Sequence, residues 1–213
     1  MKPERALKQP TDPLPSRRQQ QRQETRQRVF EAAIEVFRRD GVSASRIDDI
    51  ALLAQVSRGT FYFHFPTKAD VLMALLKDAE SLFVDALVAL PQATPIEDVL
   101  KTTAIAMAEQ WSKDPQLWVE VGVLALRNTT AGLSTGDEPS GVRRALGKHF
   151  AQAAHRGELS AMVPSQVLAD FFLANAFAVA VSWSSKPSMP LVDALCASAH
   201  LFLHGAKQSP DAA

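Results

Sequence analysis

The sequence predicts an all-α protein of about nine helices. Apolar residues recur at helical spacing in successive segments of the 213-residue chain. Proline, glycine and capping residues punctuate those segments. No stretch alternates with the period of two expected of a half-buried strand, and no internal repeat appears.

The first helix is predicted over residues 24–39, where Val29, Phe30, Ala33, Ile34 and Phe37 share one face and Gly41 stops it. The second starts at Ser45, with Asp48 three residues on as a variant capping box and Ile47, Ile50, Ala51 and Ala54 facing inward. The third covers residues 57–65. Ser57 is its N-cap, Val56 and Phe61 sit at staple positions, Phe61 and Phe65 point inward, and Pro66 ends it. The fourth has Thr67 and Asp70 as its cap and holds the helical period from Val71 to Leu90, before Pro91. Thr94-Pro95-Ile96-Glu97 reads as the capped start of a fifth helix, to residue 113. Asp114-Pro115 opens a sixth, to residue 127, and residues 128–140 read as a loop. The last three helices are predicted over 141–156, 164–184 and 190–204.

The net charge of zero hides an asymmetry. Residues 1–70 hold thirteen Lys and Arg against nine Asp and Glu, a net +4, and residues 71–213 carry the compensating −4. A basic module for a polyanion on a separate body fits this split. A lone cysteine, Cys196, rules out an internal disulfide framework and fits a reducing compartment. Residues 1–23 lack the apolar core of a leader. The most apolar run, residues 171–183, is too short to span a bilayer and contains Asn175 and Ser182. A cytoplasmic protein without membrane contact is expected. The expected units are a disordered basic arm over 1–21, a DNA-binding domain over 22–66, an effector-binding and dimerisation domain over 67–206, and a disordered tail over 207–213.

The first three predicted helices form a compact unit in which the second and third are joined at Gln55-Val56, the short turn of a helix-turn-helix. Burying Phe61 and Phe65 leaves Arg58, Gly59, Thr60, Tyr62, Phe63 and His64 on the opposite face. Arg58 can fork onto a guanine, and the Thr60 methyl can touch a thymine. Gly59 keeps the first turn thin enough for backbone to approach DNA. Tyr62 and His64 suit phosphate oxygens, and Lys68 adds a cation beside a helix N-terminus. Ser57 caps the helix, and Arg46 is placed to reach a phosphate.

The segment 41–72, GVSASRIDDIALLAQVSRGTFYFHFPTKADVL, resembles the DNA-binding signature of the tetracycline-repressor (TetR) family. The matching elements are Ile50-Ala51, Ala54, Val56-Ser57, Gly59-Thr60, Phe61-Tyr62, His64-Phe65, Lys68 and Leu72. The resemblance covers residues 25–75; beyond them only the number and lengths of helices agree. It implies a dimer whose third helix enters the major groove of double-stranded operator DNA and whose later helices bind a small-molecule effector. The positions matching the family's DNA contacts are Arg58, Gly59, Thr60, Tyr62, His64 and Lys68. Gln55 stands where the family usually has Gly; a left-handed Gln there costs on the order of 1 kcal/mol.

For the effector, Phe83, Met107, Trp111, Trp118 and Phe150 are candidate lining residues, since ligand sites are commonly apolar spaces between helices. For the dimer, Leu168, Phe171, Phe172, Phe177 and Val181 on the eighth helix, and Leu195 and Phe202 on the ninth, are candidate interface residues. An eighth helix apolar nearly all round needs more cover than one chain provides. No cofactor and no metal are expected: His200 and His204 are spaced as metal ligands can be, but such a pair near a helix C-terminus is more often a surface or interface feature. Gly132-Leu133-Ser134-Thr135-Gly136 matches a nucleophile elbow, but a helix precedes it where a strand is required, so no enzyme is expected. The alternative function is a helix-turn-helix protein whose helical body binds a protein partner rather than a small molecule.

Overall fold

Nine α-helices and no strand make up the described residues: α1 (Arg17–Asp40), α2 (Ile47–Leu53), α3 (Arg58–His64), α4 (Lys68–Ala89), α5 (Ile96–Lys113), α6 (Pro115–Thr135), α7 (Gly141–His155), α8 (Ser165–Ser185) and α9 (Leu191–His204). The structure, a computed structural model, describes residues 16–135, 141–160 and 162–204, and only the backbone of 128–135. The expected arm and tail therefore lie largely outside the described residues, as does Gly136 of the elbow-like motif.

Several helix ends differ from the sequence reading, each for a local reason. α1 begins at Arg17, not at 24, so residues 17–21 are helical and do not belong to a disordered arm. Ser16 accepts the Gln19 N–H, and the Gln19 side chain accepts the Ser16 N–H, a complete capping box built from glutamine. α2 takes Arg46 as its N-cap, with no side-chain cap bond. Ser45 is buried instead, its hydroxyl donating to the Val42 carbonyl at 2.7 Å. Thr94 does not cap α5: the Ile96 N–H donates to Glu158, 62 residues away, at 2.8 Å. Arg156 pairs with the same carboxylate and donates to the Gln92 and Thr94 carbonyls, tying the α4–α5 turn to the end of α7. These two donors hold the Glu158 carboxyl below its usual value, Arg156 contributing most. α6 continues through residues 128–135, where the sequence suggests a loop.

α8 reaches 21 residues and is long and apolar enough, by length and composition, to cross a membrane, contrary to the expectation that its apolar run is too short. Its surroundings are those of a core helix. It packs against α6, α7 and α9. Asp170 on its second turn is buried and forms a two-point ion pair with Arg143 of α7, at 2.6 and 2.8 Å. A carboxylate buried with a matched fork is satisfied within the protein. Opposite α8, the Trp111 ring of α5 lies over Gly122 of α6, where a Cβ would sit 2.5 Å from the ring, and its Nε1 donates to Ser184 of α8 at 2.8 Å. The His149 Nε2 of α7 donates to the Leu87 carbonyl of α4 at 2.9 Å. The body is thus locked by buried polar contacts as well as by its apolar core.

α1 to α3 meet this body through α4 and α6. The Arg38 Nε of α1 donates to Asp114 Oδ2 at 2.7 Å, and Asp114 Oδ1 accepts the Leu117 N–H in the first turn of α6.

Candidate nucleic-acid interface

α3 is seven residues long and cannot be stable alone; its position is imposed by its neighbours. Ser57 accepts the Thr60 N–H at 3.1 Å, and the two hydroxyls lie 2.9 Å apart. Phe61 and Phe65 are fully buried, 6.3 Å apart, with Phe30 of α1 beyond Phe65. Val56 packs at the edge of this cluster. The expected inward pair therefore forms.

The α2–α3 turn is a Schellman motif. The Val56 N–H donates to the Ala51 carbonyl and the Gln55 N–H to the Leu52 carbonyl. Its pivot, Gln55, has φ of +54°, the left-handed conformation that favours glycine.

With Phe61 and Phe65 buried, Arg58, Gly59, Tyr62 and Phe63 are exposed, and Thr60 and His64 are half-buried. The Thr60 hydroxyl is paired with that of Ser57. Nothing in the protein requires Gly59 to lack a side chain: a Cβ there would meet only Ser57 Oγ, at 3.7 Å, and its φ is not left-handed. Tyr62 packs edge-on against Phe61 at 5.5 Å and is exposed. Burial first, and then the Arg22 and Arg26 cations, hold His64 below its usual value.

Two arrangements were not legible in the sequence. The first turns of α1 lie beside α3, with the Arg22 guanidinium 4.9 Å from the Phe63 ring centre and Arg26 4.6 Å from that of Phe65. Between them runs an open groove of about 540 Å³ lined by Arg18, Arg22, Thr60 and His64 among others. The signal that could have revealed this is the Ser16–Gln19 capping box.

The second concerns Lys68. Its ammonium donates to the carbonyls of Val42, Ser43 and Ser45, at 2.8, 3.3 and 2.5 Å. An ammonium has three protons, and all three are engaged. Lys68 thus fastens the first turn of α4 to the α1–α2 turn.

In the body, Phe83, Met107, Trp111, Trp118 and Phe150 are all buried. Trp111 and Trp118 stand together, ring centres 6.2 Å apart, whereas Phe150 packs against Phe202 of α9 at 6.1 Å. Of the expected interface residues, Phe172 and Leu195 are buried within the protomer, and Phe202 is occupied by Phe150 and Phe172. Phe172 and Leu195 thus sit in the protomer's own core, and Phe202 is half-buried against it. Leu168, Phe177 and Val181 are half-buried and Phe171 is exposed. The His200 and His204 rings are exposed and lie 4.5 Å apart. Among the described residues no three His, Cys, Asp or Glu come together as metal ligands.

Residues 29–75 match the family model of bacterial regulatory proteins, tetR family. The chain is 52% identical over 54 residues to the HTH-type transcriptional regulator SrpR of Pseudomonas putida, covering 25% of each protein. It is 45% identical over 60 residues to the HTH-type transcriptional regulator TtgR, also of Pseudomonas putida, covering 28% of this chain and 29% of TtgR. The chain thus spans about a quarter of the length of these curated relatives. Over nearly its whole length it is similar to Thermus thermophilus FadR, a TetR-family repressor solved with lauroyl-CoA: TM-score 0.63, 25% identity, 87% of this chain and 97% of that one.

Proposed function

The chain belongs to the TetR family of bacterial regulatory proteins, and from that premise we propose that it is a cytoplasmic, ligand-responsive transcriptional repressor. It binds a palindromic operator as a homodimer and is released by a small hydrophobic or aromatic effector. The observation that carries the reading is the outer face of α3. Arg58, the Thr60 methyl and Tyr62 are presented by a helix whose inner face is locked, and Gly59 is small for no internal reason. Such a face suits direct readout in the major groove, with Tyr62, His64 and Arg46 at phosphates.

A dimer suits the geometry of DNA: two recognition helices read one face of the duplex when about 34–36 Å apart. Phe171 and its half-buried neighbours Phe177 and Val181 on α8 supply an apolar face for it. A small molecule is the effector adopted for the body because the FadR relative holds lauroyl-CoA. The Trp111–Trp118 pair, with Phe83 and Met107, is the proposed lining, opened when ligand enters.

The test is a linkage titration. Apolar ligands are titrated against tryptophan emission, with and without the duplex that the protein selects from a random pool. An effector must bind the DNA complex more weakly by the factor by which it weakens DNA binding. A ligand that perturbs the tryptophans yet leaves operator affinity unchanged contradicts the assignment of that pocket to the switch.

A further inference from the structure

Asp48 lies on the first turn of α2 and Arg58 opens α3. The turn through Gln55 folds the second helix back, so that Asp48 Oδ1 comes within 3.2 Å of Arg58 Nε, while Asp48 Oδ2 is 3.9 Å from Arg46 Nη2. The Arg58 and Asp48 side chains are 61% and 47% exposed, and an exposed pair of this kind contributes little to stability. Its geometry says more than its energy. A guanidinium is a planar fork of five N–H donors. Asp48 Oδ1 stands against its Nε side, a placement compatible with the Nη1–Nη2 end meeting the O6 and N7 of a guanine. A long side chain held before binding loses less rotamer freedom on binding. An anion on a surface facing DNA also weakens attraction to every phosphate, so a carboxylate between two arginines there calls for a role other than affinity.

We infer that Asp48 is a positioning residue for base readout: it aims Arg58 and so sets discrimination at one base pair in each half-site. This rests on the reading of α3 as the base-reading helix. Residue types alone place Asp48 as a helix-start acid, which is the structural role the test must separate.

Wild-type protein selects its site from a pool of random duplexes. That duplex, all its single-base-pair variants and a random duplex are titrated with wild type, Asp48→Asn, Arg58→Ala, the double variant and Asp49→Asn. Asp49 lies near Arg39 and serves as a control for removing one charge from α2. Affinities are taken relative to the random duplex, which cancels any general gain from losing an anion. Arg58→Ala is expected to abolish discrimination at one base pair per half-site. Asp48→Asn is expected to lower it at that same base pair, by about three- to fivefold, and at no other. In the Arg58→Ala background Asp48→Asn adds no further loss, the signature of residues acting as one unit. Asp49→Asn retains the wild-type pattern. Wild-type discrimination in Asp48→Asn, or an equal loss with Arg58 already replaced, overturns the inference. A uniform loss on all duplexes with a lowered Tm overturns it too, leaving Asp48 a helix-start acid. If Arg58→Ala alters no single base pair, the base-reading role of Arg58 fails and the inference with it, and that failure is recognisable in the Arg58→Ala arm alone.

Discussion

At the scale of single residues, type and role separate most clearly at Lys68. Its position at a helix N-terminus suggests an anion site, and only the fold shows that three carbonyls of the α1–α2 turn converge on it. Lys68→Met keeps the aliphatic stem and removes the ammonium. Because the group is half-exposed and the carbonyls can rehydrate, the expected loss is about 1–2 kcal/mol, toward the lower part of the range for charged hydrogen bonds. In a chain of this size that lowers Tm by roughly 2–8 °C. With its three protons engaged by carbonyls, Lys68 is expected to leave the salt dependence of DNA binding at the wild-type slope; a slope reduced by about 0.9 would place it at the phosphate backbone. Gln55 is the opposite case. Its left-handed φ was legible from the family pattern around it, because a residue standing in a glycine's place inherits the glycine's backbone.

At the scale of elements, what was legible depended on how local the cause was. α3 and α4 were readable nearly to the residue because their caps, Ser57 and Thr67 with Asp70, lie within their own first turns. The start of α5 was not, because its cap, Glu158, comes from the far side of the body. The start of α1 was missed because glutamine and arginine carry no apolar period, although the Ser16–Gln19 box was present. That extension has a functional consequence. A helical rather than disordered segment holds Arg18 and Arg22 beside Thr60 and His64, so these cations act from a fixed place. Replacing both by Gln should flatten the dependence of log affinity on log salt by about 0.9 for each phosphate they neutralise, at unchanged base preference. A slope equal to that of wild type would show that the groove faces away from the phosphates.

At the scale of the whole molecule, α4 is the helix that the proposed function makes the link between DNA and effector. Its 22 residues extend about 33 Å at ~1.5 Å per residue, from Lys68 in the DNA unit to Ala89 in the body. The Lys68 hydrogen bonds tie α4 to the α1–α2 turn, and the Arg38–Asp114 pair ties the start of α6 to α1. A ligand packed among α4 to α6 would thereby change the spacing of two recognition helices, and a tenfold loss of operator affinity needs only about 1.4 kcal/mol of coupling. Apolar content alone does not pick out the proposed dimer face, because α8 is apolar on both its buried and its outer sides: Phe172 is buried in the core, and Phe171 stands outside. Phe171→Glu, at an exposed position, should keep the protomer's Tm and yield monomers on gel filtration. A dimer of wild-type elution volume would place the interface elsewhere.

The central claim is that the outer face of α3 reads DNA, and Gly59 isolates it from the fold. Within the protein an alanine fits there, and it favours a helix by up to about 1 kcal/mol over glycine. The decisive measurement is an equilibrium titration of wild type and Gly59→Ala against the selected duplex and a scrambled duplex of equal length, at physiological salt, with Tm recorded for both proteins. The account predicts that wild type prefers its duplex by about a thousandfold or more. Gly59→Ala should lose most of that preference at a Tm equal to or above that of wild type. Equal wild-type affinity for the two duplexes, or a Gly59→Ala protein that binds its site as wild type does, would contradict it.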